Sequence, residues 1–523
     1  MMKDKETTSA GSAIKQYLIN LKQLPGTLRH SIIRHGVAET SRARAQTVFS
    51  NIFLHIHSVK VHRFSLRWNY TFGLGIMSAS LFFILTVTGL LLMVYYEPST
   101  LHAFNSMKDI IYIVPSGRLV RNVHRWAAHL MVVCVFLHMA RVFYTGSYKS
   151  GREFNWLVGL LLLVLTLALS FTGYLLPWDQ LAYWAVTIGT NIASSPQEVT
   201  DALGITERFD VGALQRHLLI GADQIGNNAL VRFYFLHCIF LPLLLTIFVA
   251  VHVWRVRKDG GLSRPATIDP EWLKGLPENR MAEQTFASPS HKTYSLMAVV
   301  KGKRPESNGA PEETVDAMPH AFVREFTAFM FILAVTLALA YFFAAPLKEP
   351  ANPAVPENPA KAPWYFLGLQ ELVSYSAFMG GIGIPTIALL GLGLIPYLDR
   401  ERGRIGHWFE NEQGRFVAIW SVMFSALSCV AVLAFTVNFG WLRNWFPAIP
   451  QIIITFCNPG TLLVAMFAIW SIATIKRFDS IRIGAIALFT CFLVAFMILT
   501  YFATVHRGPN WQFYWWPSLW PGY

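Results

Sequence analysis

Charged residues are scarce in this sequence. Only 14% of its 523 residues are Asp, Glu, Lys or Arg, whereas about 25% of a typical soluble globular protein is charged. Hydrophobic residues make up 54%, so the composition excludes an ordinary soluble protein and indicates a polytopic membrane protein. In a soluble protein the net charge of +13 would suggest binding to nucleic acid. Here membrane topology explains the charge better, and we expect no nucleic-acid partner.

Cysteine motifs are lacking as well. The five cysteines lie in or beside apolar runs, and none forms a CxxC or CxxCH sequence. We therefore expect no disulfide framework, no zinc site and no covalently attached c-type haem, and we interpret the cysteines as packed membrane thiols. The long polar stretch before the first apolar run argues against a cleaved signal peptide.

Apolar runs of about 20 residues, the length that crosses a bilayer, occur about nine times. Basic residues cluster before the first run and after the fourth, sixth and eighth, for example at Arg67, Arg255, Arg400 and Lys476. By the positive-inside rule, the N-terminus lies inside and the C-terminus outside. The sequence thus predicts an all-α polytopic membrane helix bundle. The runs lie near 74–95, 126–145, 156–176, 233–254, 323–345, 379–397, 416–437, 459–475 and 482–503.

A polar connector divides these runs into a front part and a rear part. The last residues are rich in Trp and Tyr, which is typical of an aromatic belt at the membrane interface. The sequence suggests no mechanism for the last two helices and this tail beyond anchoring a partner subunit. The predicted segments are a basic cytoplasmic N-terminal segment (1–70), a four-helix front part (71–258), the connector (259–322), a rear part with a long outer loop (323–440) and extra C-terminal helices with the aromatic tail (441–523).

Histidines inside the apolar runs carry the functional prediction, because ionisable groups in the membrane are costly and usually functional. His124 and His138 are 14 residues apart in the second run, and His237 and His252 are 15 apart in the fourth. Helix geometry converts these spacings into roughly 21 and 22 Å along the axis, with each pair on roughly one face. Two parallel helices with such pairs predict two stacked haems, His124 and His237 on the outer iron and His138 and His252 on the inner iron. His129 has no counterpart, so we interpret it as a packing residue.

Two glycine pairs repeat the 14-residue spacing, Gly75 with Gly89 in the first run and Gly159 with Gly173 in the third. Small residues let a flat macrocycle or a neighbouring helix approach the backbone closely, and the shared spacing favours contact with haem. Three arginines near the ligands would either pair with haem propionates or snorkel to the interface. They are Arg121, Arg141 and Arg232.

Several motifs make the chain resemble the cytochrome b family over about residues 60–440. They are RNVHRW at 121–126, LHMAR at 137–141, FTGYLLPWDQLAYWA at 171–185, RFYFLH at 232–237 and PWYFLGLQE at 363–371. The 15-residue histidine spacing and the PWDQ sequence are more similar to the short chloroplast type. In that type the rear helices form a separate subunit, whereas here the two parts are fused.

The resemblance implies a quinol–cytochrome c type oxidoreductase subunit with two non-covalent b-type haems. Quinol would be oxidised at an outer pocket of the third and fifth loops, which contains Trp364 and Tyr365. One electron would pass to a Rieske iron–sulfur protein and then to a c-type cytochrome, the other through the haems to an inner quinone pocket, with proton translocation. Arg257 and Lys258 would meet the inner quinone, or would simply satisfy the positive-inside rule. A homodimeric complex in a bacterial inner (cytoplasmic) membrane is expected.

The outer-pocket motif departs from the family pattern. The family commonly has PEWY, but this chain reads Ala362-Pro363-Trp364-Tyr365, so Pro363 replaces the carboxylate thought to accept a quinol proton. Proline has no titratable group and cannot act as a base. We predict that Glu371 or Asp179 substitutes; the alternative is that both are surface carboxylates. Residues 68–73 contain no cysteine, so the extra covalent haem of the chloroplast type is not expected.

Two other functions remain open at this point. The altered motif is compatible with a dihaem membrane anchor that passes electrons between quinone and a peripheral dehydrogenase without bifurcation. The intramembrane histidines are also compatible with a transporter that uses them as proton relays. An absorption spectrum separates the transporter from the haem proteins, and haem over-reduction in the presence of an inhibitor separates the two haem proteins.

Overall fold

The structure is a computed structural model that describes residues 15, 17–26, 40–51, 57–278, 313–401 and 405–521. Within these ranges, nine helices are long and apolar enough to cross a membrane, which confirms the predicted all-α membrane bundle. We number them span 1 to span 9. They are Leu74–Met93, Gly117–Tyr144, Glu153–Tyr174, Asn227–Lys258, Ala317–Phe342, Met379–Leu398, Glu412–Trp445, Pro459–Phe478 and Ile481–Val505.

Shorter elements lie between the spans. The loop after span 3 folds into helices Gln180–Ser194, Pro196–Ala202 and Val211–Ile220, and the loop after span 5 contains helix Trp364–Val373. Strands β1 (Lys60–His62) and β2 (Thr314–Asp316) pair antiparallel, which joins the segment before span 1 to the segment before span 5. The remaining short helices are Ser41–Ser50, Trp68–Thr71, Ala103–Tyr112 and Gln451–Phe456, with single 3₁₀ turns at Arg63–Leu66, Pro270–Leu273, Pro509–Trp511 and Pro517–Leu519. Within span 7, the short helix Leu442–Trp445 follows the long helix Glu412–Phe439.

The helical form of the spans follows from their surroundings, because a helix satisfies all of its backbone groups internally where lipid offers no hydrogen bonds. Polar caps mark where several spans begin. The side chains of Asn411, Asn458 and Ser480 accept backbone N–H groups at the starts of spans 7, 8 and 9, which satisfies donors that helix geometry leaves unpaired.

The front part consists of spans 1 to 4. Spans 1 and 2 pack through Leu81, Ile84, Val123 and Ala127, and Ile332 of span 5 joins the same cluster. Leu165 of span 3 packs against span 4. Span 5 therefore lies directly against the front part, although a long connector separates the two in sequence.

The rear part has span 9 at its centre. A buried cluster joins Cys429 of span 7, Phe467 of span 8 and Cys491 of span 9. Span 9 also touches helix Trp364–Val373, where a side chain at Gly368 would collide with Thr500. The predicted segment boundary at 440 and the orientation of the termini remain predictions, and residues 279–312 of the predicted connector lie outside the described ranges.

Candidate functional site

The four predicted ligand histidines meet as two pairs. The ring centroids of His124 and His237 are 6.1 Å apart with an interplanar angle of 75°, and those of His138 and His252 are 6.5 Å apart at 78°. Two metal–nitrogen bonds of about 2 Å each, with the ring radii added, separate the centroids of two ligand imidazoles by about 6 Å. The rings therefore stand at the separation that a bis-imidazole haem iron requires.

Span 4 reaches this arrangement through a π-helical turn at Leu236–Phe240, which contains His237. A π turn inserts one extra residue into an α-helix. Because the π turn takes up one residue, the 15 residues from His237 to His252 give nearly the same rotation about the helix axis as the 14 residues from His124 to His138 on span 2. This explains why both pairs face each other at nearly the same distance and angle.

Hydrogen bonds fix the rings of the outer pair. His124 Nδ1 lies 2.9 Å from the hydroxyl of Thr88, and His237 Nδ1 donates to the carbonyl oxygen of Leu169 at 3.0 Å. When Nδ1 carries the proton, Nε2 keeps its lone pair and is the atom that can bind a metal. The Thr88 hydroxyl itself donates to the carbonyl of Ile84, so it is free to accept from His124.

Each of the four glycines stands opposite one of these imidazoles. A Cβ atom at Gly75 would lie 3.3 Å from Cε1 of His138, and one at Gly89 would lie 3.3 Å from Cε1 of His124. A Cβ atom at Gly159 would lie 3.5 Å from His252, whereas one at Gly173 would overlap the ring of His237. The absence of a side chain keeps room beside His124 and His138 and most of all beside His237, whereas a Cβ atom at Gly159 would be at ordinary contact distance. This pattern fits the prediction that a flat group binds beside the ligands.

A cavity of about 280 Å³ opens at the outer pair. Its lining includes both outer ligands and Gly89 and Gly173, together with residues of the outer loops such as Tyr365 and Asp179. Two neutral imidazoles and an apolar wall are the environment in which proteins hold haem iron. The residues present therefore fit a b-type haem at this position.

The three arginines that were predicted to pair with haem propionates donate hydrogen bonds to backbone carbonyl oxygens. Arg121 donates to Ala345 and Pro346 at 2.7 Å each, and Arg232 donates to His217 and Leu218. Arg141 donates through Nε to Tyr70 at 3.1 Å, while its Nη2 is buried and has no hydrogen-bond partner in the described chain. Arg141 thus keeps a donor for an acidic group near the inner pair, and the propionate role of all three remains a prediction.

Helix Trp364–Val373 places Trp364 and Tyr365 beside span 2. Trp364 Nε1 donates to Nδ1 of His129 at 3.0 Å, and the ring centroids of His129 and Tyr365 lie 6.1 Å apart. Tyr365 and His129 both line the cavity. Burial raises the pKa of the Tyr365 hydroxyl, so this group remains a hydrogen-bond donor at neutral pH.

Glu371 lies on the same helix but is absent from the cavity lining. Its side chain is fully buried, and Arg507 donates to both carboxylate oxygens at 2.6 and 2.9 Å. Trp511 and Tyr375 donate to it as well, at 3.0 and 2.8 Å. Burial and the neighbouring Glu371 charge raise the pKa of the Tyr375 hydroxyl. Four donors therefore hold this carboxylate in place, and it is neither at the surface nor open to the cavity.

Asp179 does line the cavity. Its Oδ1 accepts the N–H of Ala182 at the start of helix Gln180–Ser194, and its Oδ2 accepts the N–H of Lys348, both at 2.9 Å. Asp179 thus caps a helix of the third loop and ties that loop to the fifth. Each oxygen has one further lone pair with which it can accept a proton or a hydrogen bond.

Arg257 and Lys258 lie at the C-terminal end of span 4. The Lys258 ammonium is 4.8 Å from the ring centroid of Trp254, and the neighbouring Arg255 pairs with Asp259 at 3.2 Å. Neither Arg257 nor Lys258 lines the cavity at the outer pair, as expected for residues near the opposite membrane face. Their role at an inner quinone pocket remains a prediction.

Sequence reasoning missed the partners of the predicted residues, above all His129 and Arg507. His129 carried a signal, since it is an intramembrane histidine without a matching ligand. Arg507 also carried one, because it follows the last apolar run on the predicted outer side, where the positive-inside rule does not explain a cation.

Comparisons with known proteins identify the family of the chain. A family model described as Cytochrome b/b6/petB matches residues 59–260. Cytochrome b6 of Heliobacterium mobile is 43% identical over 37% of this chain and 84% of its own length, and cytochrome b6 of Cyanidium caldarium is 38% identical over the same shares. A solved chain described as hyperthermophilic respiratory Complex III matches with a TM-score of 0.55 and 25% identity, covering 83% of this chain and 91% of that one. The structural similarity thus extends well beyond the front part.

Proposed function

This chain belongs to the cytochrome b family, and we propose that it is the dihaem subunit of a bc-type complex that oxidises quinol at an outer pocket and reduces quinone at an inner one. The family and the structural similarity to Complex III support a b-type cytochrome in a multi-subunit membrane assembly. When bound, two haems supply a one-electron path between the membrane faces. We further propose a Rieske iron–sulfur protein and a c-type cytochrome as partners, a homodimeric complex, proton translocation and a bacterial inner membrane.

The observation that carries this proposal is the repetition of one ligand arrangement at two depths. His124 and His138 are separated by 14 residues, or roughly 21 Å along span 2, and each faces its partner on span 4 at nearly the same ring distance. A bilayer core is about 30 Å thick. Two sites at this separation connect its outer and inner faces, which a single intramembrane site or a proton relay would not need.

At the outer pocket, residues of two loops would bind and orient the quinol. Tyr365 and Asp179 line the same cavity, and the bond between Asp179 and the Lys348 backbone holds the third and fifth loops together. Of the two predicted proton acceptors, we propose Asp179, because it faces the cavity while Glu371 is bound by four donors elsewhere. Asp179 would take the quinol proton at a carboxylate oxygen and release it to the outer side.

Quinol oxidation by the purified complex tests this function directly. In the presence of an inhibitor of the inner pocket, we expect quinol and an oxidant to drive the b haems to a more reduced level than quinol alone reaches. That over-reduction requires the two electrons of quinol to take separate routes. A dihaem anchor without bifurcation would show haem reduction but no over-reduction, and a transporter would show no b-type absorption bands.

A further inference from the structure

His129 is a cavity residue to which the haem sites give no role. It lies on span 2, five residues after His124, and it lines the cavity together with Tyr365 and Asp179. Among the residues that the structure describes, no histidine faces it in the way that His237 faces His124 and His252 faces His138. An ionisable side chain within a membrane span that pairs with no counter-charge is a functional candidate.

The contact with Trp364 defines the chemical state of this imidazole. Indole Nε1–H is only a donor, and it donates to Nδ1 of His129 at 3.0 Å. In the neutral ring, Nδ1 must then be the unprotonated nitrogen, and the proton lies on Nε2. No hydrogen bond of the described residues uses Nε2. His129 therefore presents a fixed N–H donor beside the helix that carries Trp364 and Tyr365.

We propose that His129 is a substrate-positioning residue of the outer pocket, whose Nε2–H donates a hydrogen bond to an oxygen of the bound quinol or quinone. This inference rests on the proposed function of the cavity. A quinone has carbonyl oxygens that only accept hydrogen bonds, and a quinol hydroxyl accepts as well as donates. Asp179 offers an acceptor and His129 a donor on the wall of the same cavity, and a hydroquinone hydroxyl can use both kinds of group. Trp364 acts through His129, because its hydrogen bond to Nδ1 keeps the imidazole proton on Nε2.

The charged and titratable neighbours are consistent with a neutral donor. Arg125 precedes His129 by one helical turn and also lines the cavity, as do Tyr174 and Tyr365. A nearby guanidinium disfavours a second positive charge on the imidazole. The donor in this arrangement is thus a neutral imidazole, and proton uptake is left to Asp179.

Three variants of the intact complex test the proposal. His129→Phe keeps a planar ring but removes both nitrogens, and we expect it to raise the KM for quinol by about tenfold, the effect of one lost hydrogen bond, with a smaller change in kcat. His129→Gln offers an amide oxygen to Trp364 and an N–H to the substrate, and should restore most of the affinity. Trp364→Phe frees the tautomer and should raise KM by a smaller factor.

His102→Phe is the matched control, because this histidine is exposed. The KM of this variant should equal that of the wild type. The b-haem spectrum is recorded for every variant. A wild-type KM in His129→Phe, or a His129→Gln variant as impaired as His129→Phe, would overturn the proposal. If His129→Phe loses its haem bands, its KM no longer reports on substrate binding alone, and Trp364→Phe becomes the test. An unchanged KM in Trp364→Phe would then overturn the proposal. A wild-type complex that quinol does not reduce would refute the proposed function itself.

Discussion

The front and rear parts of this molecule are stabilised in different ways. In the front part, glycines stand opposite the histidines, and space remains between the helices at the outer pair. In the rear part, span 9 fills the centre, and a buried arginine lies at each of its ends. The front part thus leaves room for a cofactor, whereas the rear part is completed by its own side chains. Loss of the cofactor should therefore damage the front part, and substitution of a buried side chain should damage the rear part.

The arginines of span 9 connect it to distant segments at both membrane faces. At the predicted inner end, Arg482 is 1% exposed and donates to the hydroxyl of Tyr148 at 2.8 Å, and Tyr148 donates to Asp399 at 2.6 Å. At the other end, Arg507 holds Glu371. These arginines are 25 residues apart, or roughly 37 Å along a helix, more than the thickness of about 30 Å of a bilayer core. Span 9 is therefore a structural member of the rear part and not only an anchor for another subunit.

The largest effect is expected from a ligand substitution in the front part. His138→Leu removes one imidazole of the inner pair, and we expect the inner haem to be lost, so that the haem content falls from two to one per chain while the outer haem bands persist. A pyridine haemochrome assay measures this, with His102→Leu as the control. Retention of both haems in His138→Leu would show that His138 is not a ligand.

In the rear part, the largest effect is expected at Arg507. Arg507→Met leaves the buried Glu371 carboxylate without its partner, which typically costs about 3–5 kcal/mol, and thermal unfolding in detergent should show it. Adding Glu371→Gln should recover part of the loss, because the uncompensated charge disappears. Arg477→Met, at an exposed arginine of span 8, is the control. Equal melting temperatures for the two arginine variants would contradict a stabilising role of the ion pair.

A smaller effect is expected at the junction of the two parts. Asp179→Asn removes the proposed proton acceptor and should lower quinol oxidation by about a hundredfold, the lower end of what a general base contributes, and should change its pH profile. Asp210→Asn is a matched control, since Asp210 also caps a third-loop helix through the N–H of Ala213 at 2.8 Å. If Asp179→Asn only lowers the melting temperature and leaves the rate unchanged, the carboxylate is a helix cap alone.

The smallest effect concerns the space beside the ligands. Gly173→Ala places a methyl group into the ring of His237, whereas Gly159→Ala places one at 3.5 Å from His252, an ordinary contact distance. We expect Gly173→Ala to weaken the binding of the outer haem by about 1–3 kcal/mol, a typical cost of overpacking. Gly159→Ala should leave the inner haem bound. Haem retention during dilution compares them. Equal retention would mean that the spaces beside the two haems do not differ in this way.

The sequence predicts more of the front part than of the rear part, because the signals in the front part are local. The spacing of His124 and His138 along one helix predicts their shared face from helix geometry alone. The π turn around His237 could not be predicted, although the extra residue before His252 hinted at it. The pairing of Glu371 with Arg507 spans 136 residues, and no periodicity connects residues that far apart. The hydrogen bond from the Lys348 N–H to Asp179 was missed for the same reason, since Lys348 belongs to another loop.

The haem content of the purified wild-type complex tests the central claim most directly. The matched pairs His124 with His237 and His138 with His252 predict two non-covalent b-type haems per chain, with split α bands because the two sites differ in their surroundings. A pyridine haemochrome assay together with a reduced-minus-oxidised spectrum measures both properties. Two extractable b haems with distinct bands would support the account, and one haem or none per chain would contradict it.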